Sequence, residues 1–510
     1  MSFLALPRGD WRLIAGGAVG VCAAYPPFHL FVPSFICLIP IVWLLVAGSR
    51  DRMPLRRHFV QGFWFGILAY GLTLYWLVVA LWRFTALSGL AYVATIVVLA
   101  LYMGVVLAVS GWVTGRTGVS FVVTVPVIWT AAEWLVSHQF DLRFPWLGLG
   151  TSLTGFPVAV QIADVIGARG VTFLLVLANT TLAMAWLTRD DWRRVTTMTL
   201  SVVVVLLGVL SYGVVRESTL PLRSRGTAAL LQPNVGWSKK WEEGAGDSVF
   251  YETLNLAARA VDRAAVDLVV WPEAAVPGYF ATHPAWQRDV AALSRATGVT
   301  QVVGGLDLEW IDVGDNAYEY YNAAFLFDTT ARDALPVYRK RYLVPITERV
   351  PFFDPKTFDL EFFGGFSAGR EGPLFETGVG RFGILICYES AFESLSRRYR
   401  ADGADFLVNM TNDAWFGRTS APYQHAAHLV MRAIETRTGI VRAANSGISE
   451  FVDPLGRQHG RTTLFNQTIR MGEIVTSSVV PPYVRLGDWV GSLSLVMTVI
   501  LVTVAARRRR

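Results

Sequence analysis

The stretch Arg381-Phe-Gly-Ile-Leu-Ile-Cys-Tyr-Glu-Ser390 runs apolar up to Cys387 and then turns polar, in residues that can open a helix. That pattern predicts a strand, a sharp turn and a helix. A thiol carried on such a turn stands clear of the sheet edge, and a helix N-terminus beneath it lowers its pKa toward the reactive thiolate. Cys387 is therefore a candidate nucleophile, the alternative being a buried structural cysteine. Two further strand ends carry complementary groups. Val269-Val-Trp-Pro-Glu273 sets a carboxylate just past an apolar run, and Tyr338-Arg-Lys340 opens a segment that continues as Leu343-Val-Pro-Ile-Thr-Glu348. A Glu, a Lys and a Cys gathered at one sheet edge would make an acyl-transfer site. Glu273 would be the general base, Cys387 the attacking atom, and Lys340 with a backbone N–H the donors to the oxyanion. Taken singly, Glu and Lys side chains in loops are ordinarily solvated surface.

The elements that must position these groups alternate. Short β-like runs at 227–232, 267–271, 300–305, 323–327, 382–386, 406–409 and 440–444 are interleaved with helical patterns at 247–263, 284–297, 392–401 and 423–436. Such alternation predicts layered α/β packing, in a domain spanning 221–480.

The rest of the chain is of another kind. Of 510 residues 53% are hydrophobic and only 16% charged, far from an ordinary soluble composition. The apolar excess is concentrated in 1–220 and 481–510, which reads as an α-helical polytopic membrane domain of about eight transmembrane helices. The expected spans are about 12–25, 31–47, 59–81, 88–113, 119–137, 157–187, 195–215 and 487–505. Pro26, Pro27 and His29 interrupt the first pair, which reads either as two short helices or as a re-entrant hairpin. Residues 8–25 could be a signal peptide, but spans follow at once, and Val21 before Cys22 spoils a lipoprotein-type cleavage site, so a retained span is expected.

With a cytoplasmic N-terminus, fourteen arginines fall on inside segments (Arg8, Arg12, Arg50, Arg52, Arg56, Arg57, Arg116, Arg189, Arg193, Arg194 and 507–510), against Arg83 and Arg143 in short outside loops. This asymmetry predicts both termini inside and the large domain outside. It also accounts for most of the net charge of +6, so no nucleic-acid partner is inferred. Two of the three cysteines, Cys22 and Cys37, lie in expected spans, leaving Cys387 without a disulfide partner in its domain. Glu133, Asp164 and Arg169 sit in or beside spans, where charges default to function, but a structural role is as good a reading: Asp164 and Arg169, near the outer end of their span, could simply pair, and Glu133 lies close to an interface.

The surroundings of the three candidate residues form a recognisable series. Trp271-Pro-Glu273-Ala-Ala-Val-Pro277, Tyr338-Arg-Lys340 with Leu343-Val-Pro345, Cys387-Tyr-Glu389 and Asn412-Asp-Ala-Trp-Phe-Gly417, in this order, resemble the nitrilase superfamily. Joined to seven preceding spans and one following, they resemble the apolipoprotein N-acyltransferases, and the resemblance covers essentially the whole chain. It implies an αββα sandwich for 221–480 with a catalytic triad of Glu273, Lys340 and Cys387. It also implies supporting, oxyanion or substrate-binding roles for Tyr388, Glu389, Glu348, Trp241, Asn412 and Trp415. The activity implied is transfer of a fatty acyl chain from a phosphatidylethanolamine-like phospholipid, through a Cys387 thioester, to the α-amine of a diacylglyceryl-modified apolipoprotein. The place implied is the bacterial inner membrane with the catalytic domain periplasmic. Local departures occur at Ile346-Thr-Glu-Arg349 and at Arg442-Ala-Ala-Asn-Ser-Gly447.

No cofactor or metal is expected. His425 and His428, three apart on an expected helix, lack a completing ligand set and read as helix surface. Phe352, Phe353, Phe358, Phe362, Phe363 and Phe366, with Gly364, Gly365 and Gly369 nearby, read either as a lid that admits lipid chains or as core. Two rival functions fit parts of the pattern. One is a membrane-anchored nitrilase-type amidase acting on a small amide, and the other is a transporter or receptor with a ligand-binding outer domain.

Overall fold

Apolar runs of this length can satisfy their backbone groups in a bilayer only as helices, and helices are what they form. The computed structural model describes residues 4–82, 88–236, 244–276, 278–312, 317–329, 335–349, 352 and 365–508. These divide into a unit of Met1–Thr219 with Leu486–Arg510 and a unit of Leu220–Arg485. In the first unit, six helices among the described residues are long and apolar enough to cross a membrane: Pro33–Arg50, Ser88–Thr117, Phe121–His138, Ala163–Leu187, Trp192–Thr219 and Trp489–Arg507. Leu55–Thr73 with Trp76–Trp82, bent by 58°, makes a seventh if taken as one span. Arg8–Ala24, an apolar helix of 17 residues, falls just short of that length.

The three charges singled out in this unit, Glu133, Asp164 and Arg169, each have partners, and Asp164 and Arg169 do not pair with one another. Asp164 accepts from Arg216 Nη2 at 2.7 Å and from the Tyr212 hydroxyl at 2.7 Å. Arg169 donates to Asp488 at 2.7 Å. Positions five apart do not share a helix face, and Gly167 between them lies at φ 68, which breaks the helix and turns the two side chains toward different neighbours. Glu133 is a tie between segments: it accepts from Trp129 Nε1, the Leu149 N–H and Thr172 Oγ1 at 3.2, 2.9 and 2.8 Å.

Among the described residues, the second unit holds two six-stranded sheets. One has the order β12-β1-β2-β3-β4-β5, with β1 Arg223–Gln232, β2 Leu268–Val270, β3 Thr300–Asp312, β4 Ala317–Phe327, β5 Val337–Arg339 and β12 Thr468–Thr476. The other has the order β11-β10-β9-β8-β7-β6, with β6 Phe375–Thr377, β7 Gly380–Ile386, β8 Phe406–Thr411, β9 Gly439–Ala444, β10 Glu450–Val452 and β11 Gln458–His459. Parallel pairs lie at each centre, β1–β2–β3 in one sheet and β7–β8–β9 in the other. These strands are buried on both faces, which is why they read as continuous apolar runs rather than alternating ones. Ala229, Leu231, Val269 and Val303 pack beneath Phe250, Leu256, Trp286 and Val290 of the helices Gly246–Arg263 and Pro284–Thr297. The helices Glu393–Ala401 and Ala421–Thr436 pack on the second sheet. The expected layered α/β domain is thus an αββα sandwich.

All three candidate residues follow the carboxyl end of a strand. Glu273 follows β2, where the turn is zipped onto β3 by Trp271 N–H to the Val302 carbonyl and Ala275 N–H to the Gly304 carbonyl, both at 2.9 Å. That close approach requires a glycine: a Cβ at 304 would stand 2.1 Å from the Pro272 carbonyl oxygen. Because the obstacle is backbone, Gly304→Ala should lower stability by about 1–3 kcal/mol. It should also reduce turnover at the candidate site by more than the loss of folded protein explains, since the strand end it displaces carries Glu273. Thermal unfolding in detergent alongside an activity assay checks this, and unchanged activity would contradict it.

Candidate active site

A fully buried ammonium must be paired or it will not stay charged. Lys340, just past β5, is 0% exposed. Its Nζ donates to Glu348 Oε1 at 2.8 Å and to Glu273 Oε1 at 3.3 Å. Burial works against the charge, but Glu348 first and Glu273 next outweigh it and hold the ammonium above its ordinary pKa. Glu273 is fixed by three donors. Besides Lys340, Asn322 Nδ2 reaches Oε1 at 2.7 Å and the backbone N–H of Asn412 reaches Oε2 at 2.8 Å. Asn322 also donates to Glu348 Oε1 at 3.1 Å, and the Val344 N–H donates to Glu348 Oε2 at 2.8 Å.

Cys387 begins a short 3-10 turn, Cys387–Ala391, directly after β7. Its backbone is left-handed, with φ at 52. It is 2% exposed, and Glu273 and Lys340 are both close enough to act on the thiol electrostatically. Two neighbouring loops are bent the same way, at Ala274 beside Glu273 and at Ile346 between Lys340 and Glu348. Non-glycine residues held there cost about 1–3 kcal/mol each and are characteristic of functional sites.

The expectation for the thiol's acidity is corrected here. A helix N-terminus was expected to lower it, but the α-helix begins only at Glu393, after the 3-10 turn. Burial, foremost, and the Glu273 carboxylate push the thiol well above its ordinary value, against the pull of Lys340. A thiol so raised rests protonated and would need a base to act as a nucleophile.

Glu389, 0% exposed, is a clamp. Its Oε1 accepts from the N–H groups of Arg341 and Tyr342 at 2.7 and 3.1 Å, and its Oε2 from the Ile386 N–H at 2.7 Å. The Tyr338 hydroxyl donates to the same carboxylate at 2.7 Å. One side chain thereby ties the Lys340 loop to Ile386, the residue before Cys387. Tyr388 packs edge-on against Phe392, with ring centroids 5.0 Å apart, and Trp415, half-buried, stacks on Phe416 at 5.3 Å. Trp241 lies outside the described residues, as do Phe353, Phe358, Phe362, Phe363 and Gly364 of the phenylalanine-rich segment. Phe352 is exposed, and Phe366 packs on Tyr320 with centroids 5.0 Å apart.

Four residues of the site escaped the sequence reading: Asn322, Asp413, His425 and Arg442. His425 and His428 are buried, at 0% and 2% exposed, rather than on a helix surface. The available signal was Arg442, a charge inside the apolar run of β9, since a buried guanidinium implies a buried acid; it donates to Asp413 at 2.9 Å. Burial would raise Asp413, but Arg442 and His425 hold its carboxyl below the ordinary range.

Because burial is the largest cause of the raised thiol, removing the base should expose that acidity. In Glu273→Gln, alkylation of Cys387 by iodoacetamide should climb about tenfold per pH unit and keep climbing past the pH at which free cysteine has already ionised. Mass spectrometry of the Cys387 peptide measures it, and a plateau near neutral pH would contradict the assignment.

Residues 227–481 match the carbon-nitrogen hydrolase family, and residues 17–181 match the apolipoprotein N-acyltransferase N-terminal domain. The apolipoprotein N-acyltransferase of Geobacter metallireducens is 32% identical over 99% of this chain and 97% of its own length. That of Chlorobaculum tepidum is 28% identical over 98% of this chain and 96% of its own. That of Allorhizobium ampelinum is 32% identical over 88% of this chain and 87% of its own. With a helical membrane unit and a nitrilase-like catalytic unit matched in that order and over nearly full length, this chain is a membrane acyltransferase that belongs to the apolipoprotein N-acyltransferase family.

Proposed function

We propose that the chain transfers a fatty acyl group from a phospholipid to the α-amine of the N-terminal diacylglyceryl-cysteine of apolipoproteins, in two half-reactions through a thioester on Cys387. The observation that carries this reading is the Lys340 ammonium, buried between Glu273 and Glu348 within electrostatic reach of one buried thiol. Glu273 takes the thiol proton as sulfur attacks the ester carbonyl of the phospholipid, phosphatidylethanolamine-like in head group. The carbonyl oxygen becomes an oxyanion, held by Lys340 and the Tyr388 N–H. The C–O bond to glycerol breaks, and the leaving alkoxide takes the proton from Glu273 and departs as lysophospholipid. The acceptor amine then attacks the thioester, Glu273 removes its proton, and collapse returns the Cys387 thiol. A thioester suits this task because it yields to an amine more readily than an oxygen ester does.

Glu348 and Asn322 hold Lys340 and Glu273 in place rather than reacting, and Glu389 keeps the Lys340 loop and the nucleophile turn in register. Tyr388, Asn412 and Trp415 complete the site around them, and the family resemblance adds Trp241, which lies outside the described residues. The amidase alternative shares the triad but gives no reason for the match over 17–181. The arginine asymmetry supports an inner-membrane placement with both termini cytoplasmic and the domain of 221–480 periplasmic.

Phospholipid alone should acylate the enzyme and release lysophospholipid, leaving a hydroxylamine-sensitive adduct on Cys387. An acceptor peptide added afterwards should collect the chain. Cys387→Ala should abolish both steps, and Glu273→Gln and Lys340→Ala should slow acylation by about two to four orders of magnitude. Lysophospholipid that appears only once acceptor is present would mean direct transfer instead. For topology, a reporter active only outside the cytoplasm should stay silent when fused after Arg510 and be active when fused near residue 300; the reverse result would invert the orientation.

A further inference from the structure

We infer that His425 is a positioning residue for the acylation step, which polarises the peptide group joining Cys387 to Tyr388 from its carbonyl side. The inference rests on the two-step reading above, in which the N–H of that same peptide group receives the oxyanion.

His425 lies on the helix Ala421–Thr436, and its Nε2 is 2.9 Å from the Cys387 carbonyl oxygen. A carbonyl only accepts, so Nε2 carries the proton and donates. On the other side of the ring, Nδ1 stands 2.9 Å from Asp413 Oδ1. That oxygen also accepts from Thr411 Oγ1 at 2.9 Å, while Arg442 Nη2 donates to Asp413 Oδ2 at 2.9 Å and lies 3.2 Å from Nδ1. Arg442 is fixed in turn by Asn409 at 2.6 Å and the Ile448 carbonyl at 2.9 Å. His425, Asp413 and Arg442 are 0%, 1% and 0% exposed.

A buried set of charges is a costly way to fill space, since an apolar set of similar volume often serves stability as well or better. This one ends on the carbonyl of the nucleophile. Two consequences follow. The bond helps hold Cys387 in its left-handed backbone, which L-residues adopt only at a cost of about 1–2 kcal/mol. It also withdraws density from the peptide carbonyl, which makes the N–H on the far side of the same amide a stronger donor, as in any chain of cooperative hydrogen bonds. The Tyr388 N–H is asked for most when the carbonyl oxygen of the acyl group turns into an oxyanion, so the His425 bond is stronger in the transition state than before it.

The test separates this from a purely structural histidine by comparing two reactions of one thiol. Alkylation by iodoacetamide uses the Cys387 sulfur but forms no oxyanion, whereas acylation by phospholipid needs both. His425→Gln keeps an amide donor near the place of Nε2. His425→Asn reaches only the Nδ1 side, and His425→Phe removes both. Measured on full-length protein in detergent, alkylation of Cys387 should stay within about twofold of the unmodified enzyme in all variants. Acylation should fall about tenfold in His425→Phe and His425→Asn and be largely restored in His425→Gln, a fraction of the loss typical for deleting an oxyanion donor outright. If His425→Phe fails to fold, the contrast between Gln and Asn carries the same test. Parallel loss of alkylation and acylation, equal acylation in the Gln and Asn variants, or acylation unchanged throughout would overturn the inference. Failure of the unmodified enzyme to form an acyl adduct would instead overturn the two-step reading, and this inference with it.

Discussion

Lys340 is a charged amine with no access to water, and the architecture around it answers that constraint. Two carboxylates neutralise it, and each is itself saturated by donors that cannot easily move: Asn322 from β4, the Asn412 backbone after β8 and the Val344 backbone in the loop. Removing the ammonium would leave two buried carboxylates with no cation between them, a costly arrangement. The three charges are thus held in one fixed geometry by their mutual pairing and by those donors. Preorganisation of that sort is what catalysis by fixed charges requires, because no dipole has to turn at the moment of reaction.

The two sheets contribute different chemistry. From the first come a carboxylate and the ammonium, Glu273 after β2 and Lys340 after β5. From the second come the thiol of Cys387 after β7 and, after β8, Asp413 with its link to His425. Glu389 crosses between them, gripping the N–H groups of Arg341 and Tyr342 with one oxygen and Ile386 with the other. The distance between sulfur and ammonium is thus set by a single side chain as well as by the packing of the sandwich.

What could be read from the sequence was whatever is local. The strand ends at Glu273, Lys340 and Cys387, the four long helices of the second unit and the arrangement of apolar segments all follow from composition within a window of twenty residues or fewer. What could not be read depends on distant partners. β6 and β10 are three residues each and become strands only because a neighbour is there to pair with. β12 lies beside β1 across more than two hundred residues of sequence. The pairing of Asp164 with Arg216, and of Arg169 with Asp488, depends on which helices come to lie side by side. His425 read as surface because a histidine on a helix usually is; its burial against the nucleophile's carbonyl is set by the second sheet. The acidity of Cys387 was misjudged for a similar reason, since a helix end is visible in a sequence and the degree of burial is not.

A thiol that rests protonated and is 2% exposed has a chemical consequence apart from turnover. Peroxide and disulfide exchange both act on the thiolate, and they act fastest where it is solvent-accessible. Cys387 offers neither while idle, and in the proposed reaction becomes anionic only as Glu273 takes its proton in the presence of an acyl donor. Its durability between encounters therefore comes from the same burial that makes it depend on a base, so a change that made the resting thiol more acidic would make the enzyme quicker to react with oxidants as well as with lipid.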